Sequence, residues 1–160
     1  MTCTPENRVG KIVVTEDLYA KAIGCGFDEK NILKVSPNNE YSFDGLNFKT
    51  IPSYNTNKDF HKKEYNWVSY IVEIDGKIVY VAGDTDATEE ALQVNCDIAM
   101  VPVGGTYTMT AEEAAELIEN IKPNEYAVPT HYQTIVGSVD DAIKFKNLLE
   151  EKVDVHILMD

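Results

Sequence analysis

Two Asp-Gly pairs constrain this chain more than any other feature. Asp44-Gly45 stands between Tyr41-Ser-Phe43 and Leu46–Ile51, and Asp75-Gly76 stands between Trp67–Ile74 and Lys77–Ala82. A type I′ turn needs positive φ at both central residues, which makes Asp-Gly between apolar runs the strongest short-range hairpin signal. The middle of the chain is therefore expected to form antiparallel strand pairs. Between the two hairpins lies a polar stretch, Ser53–Asn66, with no clear period. A loop of that length in a compact domain usually has work to do.

The rest of the chain alternates strand and helix. Lys11–Thr15 and Asn31–Val35 read as short buried strands around a helix over Glu16–Ile23, with Thr15 as its N-cap and Gly24 and Gly26 at its C-terminal stop. Further on, Val79–Ala82 leads to a short helix near Thr88–Gln93, and Asp97–Val103 is a continuous strand pattern ending in Gly104-Gly105. Thr110-Ala-Glu-Glu113 is a capping box, and the helix it opens places Ala114, Leu117, Ile118 and Ile121 on one face. Glu125–Pro129 is strand-like. Ser138 caps a last helix with Ala142, Phe145, Leu148 and Leu149 inward, and Val153–Met159 closes as a strand. Hairpins followed by β-α-β-α-β predict an α/β (α+β) domain, a mixed sheet with helices packed outside, over residues 1–160 as one unit.

Composition narrows the function. With 14 basic and 27 acidic residues the formal charge is −13, which repels phosphates over most of the surface and argues against nucleic-acid binding. No apolar run reaches the ~20 residues of a membrane helix, and Met1–Gly10 lacks a signal-peptide core. Cys3, Cys25 and Cys96 are widely spaced and read as thiols in a reducing compartment, so a cytoplasmic location is expected.

Asp84 and His131 share one kind of address, each following an apolar strand in the turn that leaves it. Ligands of open α/β sheets collect outside the carboxyl ends of strands, and a carboxylate with an imidazole suits zinc, iron or manganese. The same residues read equally as turn formers. His61 sits with Lys58, Lys62 and Lys63 in the one basic cluster, which either grips a small anionic substrate or is a solvated loop face. Asn55 reads as a substrate donor or a turn residue, and Asp86 as a partner of Asp84 or a helix cap. Gly104-Gly105-Thr106 reads as an anion nest or a tight turn, and His156 as a sheet-surface residue.

Three strings occur in order: Val79-Tyr-Val-Ala-Gly-Asp-Thr-Asp86, Met100-Val-Pro-Val-Gly-Gly-Thr-Tyr-Thr-Met-Thr-Ala-Glu-Glu-Ala-Ala115 and Val128-Pro-Thr-His-Tyr132. Together with Ile51-Pro-Ser-Tyr-Asn55 and Phe60-His-Lys-Lys63 they resemble the metallo-β-lactamase superfamily, in particular its ascorbate-phosphate-lactonase-like branch of metal-dependent hydrolases. The resemblance runs from about Ile12 onward. It implies an αββα sandwich, zinc or manganese as cofactor, Asp84 as the carboxylate shared between two metals and His131 as the late histidine ligand. It also implies a His-x-His-x-Asp-His run. The three histidines, His61, His131 and His156, stand in no such run.

That departure sets two further expectations. Two donors are fewer than the three protein ligands of a catalytic zinc, so hydrolysis by this chain alone is not expected, and the alternative is a non-enzymatic relative acting through assembly. The resemblance implies only the C-terminal portion of that fold, a partial sandwich, and its uncovered sheet predicts a homo-oligomer, or a partner chain laid over the exposed face.

Overall fold

The computed structural model describes residues 10–158. Both Asp-Gly pairs form the expected turns, with φ of +54° and +82° at Asp44 and Gly45 and of +51° and +76° at Asp75 and Gly76. Those turns join β3 (Asn39–Phe43) to β4 (Leu46–Pro52) and β5 (Val68–Ile74) to β6 (Lys77–Val81). Three parallel strands extend the sheet beyond β6: β7 (Ile98–Pro102), β8 (Tyr126–Thr130) and β9 (Asp154–Val155). The result is one seven-stranded mixed sheet in the order β3-β4-β5-β6-β7-β8-β9. A separate parallel pair, β1 (Ile12–Thr15) with β2 (Ile32–Val35), flanks α1 (Tyr19–Gly24). The chain is thus a mixed α/β fold, as its sequence pattern requires.

One face of the large sheet is sealed by two helices, α2 (Ala111–Ile121) and α3 (Val139–Leu148). The capping box of α2 is closed at both ends, Thr110 Oγ1 accepting from Glu113 N–H and Glu113 Oε2 accepting from Thr110 N–H. Tyr80, Ala82, Ala99, Val101 and Ala127 from the strands form one buried cluster with Leu117, Ile118, Phe145 and Leu149. The opposite face is different. Strand register aligns Val72, Val79, Ile98 and Tyr126 in one row and Tyr70, Val81, Met100 and Val128 in the next. Of these only Val128 is buried, and the others remain partly open.

Several local expectations fail for identifiable reasons. The helix read over Glu16–Ile23 begins as a 3-10 turn at Glu16–Leu18, because the Thr15 hydroxyl donates to the Asp17 carboxylate at 2.5 Å and caps no backbone group. Thr88–Gln93 shortens to a 3-10 turn over Ala91–Gln93, with Thr88 Oγ1 accepting from Ala91 N–H. Leu148 is exposed where Leu149 is buried. The last strand is only Asp154–Val155, and the end of the expected range, Met159, lies outside the described residues. Cys96 is a buried free thiol, but Cys25 is disulfide-bonded, which corrects the reading of all the cysteines as thiols. Cys3 lies outside the described residues. Among the described residues no helix is long and apolar enough to cross a membrane.

Candidate metal centre

Asp84 leaves the sheet just after β6 and His131 just after β8, on either side of β7. The structure brings them together, His131 Nδ1 lying 2.7 Å from Asp84 Oδ1. His131 itself has φ of +55°, a left-handed conformation that a non-glycine residue adopts only when its surroundings impose it. Gly104 supplies that surrounding: a Cβ there would stand 2.3 Å from the His131 carbonyl oxygen. The Gly-Gly-Thr segment is a tight turn. Gly105 N–H donates to Met109 O and Thr106 N–H to Gly104 O, so these two amides are not free to cradle an anion.

A third strand end completes the cluster. The loop after β4 is stitched to the Asp84 turn: Ser53 Oγ donates to Asp84 O, Tyr54 N–H to Thr85 Oγ1 and Asp86 N–H to Tyr54 O. Asp86 is buried and holds the same loop from beneath, accepting from Thr56 N–H and pairing with Lys58 Nζ at 2.9 Å. It anchors the loop and neither touches Asp84 nor caps a helix. So held, the loop delivers His61, which is buried rather than the exposed histidine that its lysine-rich surroundings suggested. His61 Nε2 lies 3.5 Å from Asp84 Oδ2.

The hydrogen bonds of His61 fix its chemistry. Its Nδ1 is 3.1 Å from the Tyr107 carbonyl oxygen, which can only accept. Nδ1 therefore carries the proton, and in the neutral ring the Nε2 lone pair faces the Asp84 carboxylate. A lone pair and a carboxylate facing each other attract a cation, either a proton on Nε2 or a metal ion. Two ligands at ~2.0–2.1 Å on a tetrahedral ion stand roughly 3.4 Å apart, close to the separation seen here. The backbone carbonyl behind Nδ1 is the kind of outer partner that orients metal-bound imidazoles. Donor type and spacing therefore fit a divalent metal. Donor number is short: among the described residues no three His, Cys, Asp or Glu side chains form a complete metal-binding group.

Electrostatics tie the pair to a pH range. The hydrogen bond from His131 holds the Asp84 carboxyl below its usual 3.8, against the opposing effect of burial. The same bond raises the His131 imidazole above its usual 6.5. The histidine's share of the stabilisation is whole below 6.5 and is lost as pH rises through its raised value. The carboxylate's share is whole above 3.8 and is lost as pH falls through its depressed value. The pair is thus strongest between 3.8 and 6.5.

The remaining sequence candidates fall elsewhere. Asn55 is structural here: its Oδ1 accepts from His61 N–H and its Nδ2 donates to Tyr107 O, which positions His61. Lys63 Nζ donates to Glu90 Oε1 and to Tyr54 OH and sits 4.4 Å above the Tyr54 ring. Lys62 is exposed and is not in the wall of the cleft. His156 pairs with Asp154 and stacks on Tyr126 at the far end of the sheet.

Around Asp84, His61 and His131 opens a cleft of about 380 Å³, walled also by Tyr107, Thr108, Tyr132, Ile135 and Val136. The hydroxyls of Thr108 and Tyr132 are buried there without a hydrogen-bond partner among the described residues. Sequence reasoning passed over Tyr107, Thr108, Ile135 and Val136 because their residue types carry no chemical signal.

The family described as the beta-lactamase superfamily domain matches residues 7–131. A UPF0173 metal-dependent hydrolase of Thermococcus onnurineus is 34% identical over 120 residues, 72% of this chain and 53% of that protein. A UPF0173 metal-dependent hydrolase of Methanopyrus kandleri is 27% identical over 151 residues, covering 89% of this chain and 64% of the relative. The chain spans about half the length of the first of these relatives. Among solved structures, a novel metallo hydrolase from Ignicoccus hospitalis superimposes with a TM-score of 0.72 at 25% identity, covering 92% of this chain and 65% of that one. A putative metal-dependent hydrolase from Parabacteroides distasonis gives a TM-score of 0.71 at 23% identity over 94% and 78% of the two chains, a likeness of fold.

Proposed function

Because the chain belongs to the beta-lactamase superfamily, we propose that it carries one side of a metal-dependent hydrolase site. Asp84, His131 and His61 would hold a zinc or manganese ion there, with its remaining donors from outside the described residues. The observation that carries this reading is the carboxylate standing between two imidazoles at 2.7 and 3.5 Å, one of them with its lone pair aimed at the carboxylate. A bound divalent ion lowers the pKa of its water and polarises the bond to be cleaved. The chain's own groups prepare the place. The Tyr107 carbonyl keeps the proton on His61 Nδ1, Asn55 fixes the His61 backbone, and the Asp86–Lys58 pair holds the loop down.

The reaction class is hydrolysis of an ester or lactone, as in the lactonase-like branch that the sequence resembles. The water oxygen bonds to the carbonyl carbon, the bond to the alkoxy oxygen breaks, and that oxygen leaves with a proton. Thermal unfolding of chelator-treated protein tests the metal assignment. Zinc at a hundredfold excess over its Kd should add about 2.7 kcal/mol and raise Tm by roughly 5–10 °C. No shift with zinc or manganese contradicts the reading.

A second reading is favoured by the apolar sheet face. Val72, Val79, Ile98, Tyr126, Tyr70, Val81 and Met100 form a continuous surface that remains partly open. Each 100 Å² of apolar area covered there is worth about 2.5 kcal/mol. In this reading the chain acts through assembly, a second copy or a partner chain lying on that face. Sedimentation at micromolar concentration is expected to show dimers or larger species, and monomer alone would remove self-association.

A further inference from the structure

The cationic groups expected to bind an anionic substrate do not reach the cleft. Lys58 is spent on Asp86 and Glu113, Lys63 on Glu90 and Tyr54, and Lys62 is exposed and absent from the cleft lining. No lysine or arginine lines the cleft among the described residues, and the whole chain carries −13. An anion entering would meet the Asp84 carboxylate with no fixed cation from this chain beside it except a protonated imidazole.

What the cleft offers instead is exposed apolar surface in and beside its lining. Ile135 is 88% exposed, Phe60 51% and Tyr107 39%. Phe60 meets Tyr107 edge to face at 4.8 Å, which steadies the Tyr107 ring, and Ile135 and Val136 line the same cleft. Large apolar side chains left open around a polar centre mark a binding surface more often than they occur by chance. Their position decides the partner: Tyr107 and Ile135 line a space of small-molecule size together with Asp84 and His131.

We infer that the cleft takes an ester or lactone with an uncharged aryl or branched alkyl group that seats against Tyr107, Ile135 and Val136. This rests on the hydrolytic reading of the site and adds the substrate class. Ile135 is a specificity-determining residue for the substituent, and Phe60 acts through Tyr107. These aromatic and branched side chains select for the shape of the substituent, and a charge on it would be desolvated against them with no lysine or arginine of the cleft to pair it.

The test uses the full chain labelled with ¹⁵N and two probes, neutral phenylacetamide and glucose 6-phosphate. Phenylacetamide is expected to shift the amides of Tyr107, Ile135 and Val136 saturably, and the phosphate to leave them in place. Ile135→Ser, at an exposed position that the fold does not need, should weaken the amide about 5-fold, while Lys62→Ala leaves it unchanged. Tighter binding of the phosphate, no binding of either probe, or an Ile135→Ser protein that binds as well as the parent each overturns the inference. Zinc uptake measured on the same samples separates the two readings. Uptake with preference for the phosphate sinks the substrate class alone, and selective binding of phenylacetamide without any uptake sinks the hydrolytic role alone.

Discussion

Asp84→Ala should lower zinc affinity by at least about 100-fold, more than the loss of any single outer partner, which costs 10–100-fold. Both imidazoles of the site face this one carboxylate, at 2.7 Å for His131 and 3.5 Å for His61. Removing it takes away a donor and the negative charge that offsets the ion. Asp84 is half exposed and its main chain is held separately by Ser53 Oγ, so the substitution should leave the fold intact. Titration calorimetry with zinc reads the effect. His131→Ala should show a comparable loss, because its ring nitrogen is the nearest partner of the carboxylate. Affinities within threefold of the parent would place the metal elsewhere.

The second large effect is expected from one methyl group. In Gly104→Ala the new Cβ would lie 2.3 Å from the His131 carbonyl oxygen and 3.0 Å from Val136 Cγ2. The first of these is backbone and cannot swing aside. A second glycine closes the same gap from the other side, since a Cβ on Gly137 would stand 2.8 Å from Gly104 Cα. Overpacking against a main chain at this range should cost about 3 kcal/mol and lower Tm by roughly 10 °C. Gly105→Ala is the control. Its φ of +75° makes alanine strained, but the nearest atom to the new Cβ is a side-chain methyl at 3.5 Å, so a loss of about 1 kcal/mol is expected. Calorimetry showing the two variants equally mild would mean that the His131 turn does not depend on Gly104.

The contrast between these residues explains what could be read in the chain before it was folded. That Asp84 and His131 meet was legible because each follows an apolar strand, and parallel strands carry their ends to one side of a sheet. The Asp-Gly hairpins and the Thr110–Glu113 box were legible because their chemistry is closed within a few residues. His61 was left open between a site residue and a solvated loop face because what buries it is distant. Its Nδ1 partner is Tyr107, and its loop is held by Lys58 against Asp86, 28 residues further on. Lys63 looked like a substrate contact for the same reason, its partner Glu90 lying 27 residues away. The helix expected from Glu16 begins instead as a 3-10 turn, the Thr15 hydroxyl choosing the Asp17 carboxylate over a backbone amide. Ile135 carried no signal at all, and Tyr107 none beyond its place in the Met100–Ala115 string, since a residue lining a cleft is indistinguishable in sequence from one in a loop.

The most direct measurement is the ring-nitrogen NMR spectrum of the histidines as zinc is added to chelator-treated protein. One equivalent should move His131 Nδ1 and His61 Nε2 to metal-bound shifts while His156, stacked on Tyr126 at the far end of the sheet, stays put. Spectra in which His61 and His131 keep their free-imidazole shifts at saturating zinc would show that these strand ends do not hold a metal.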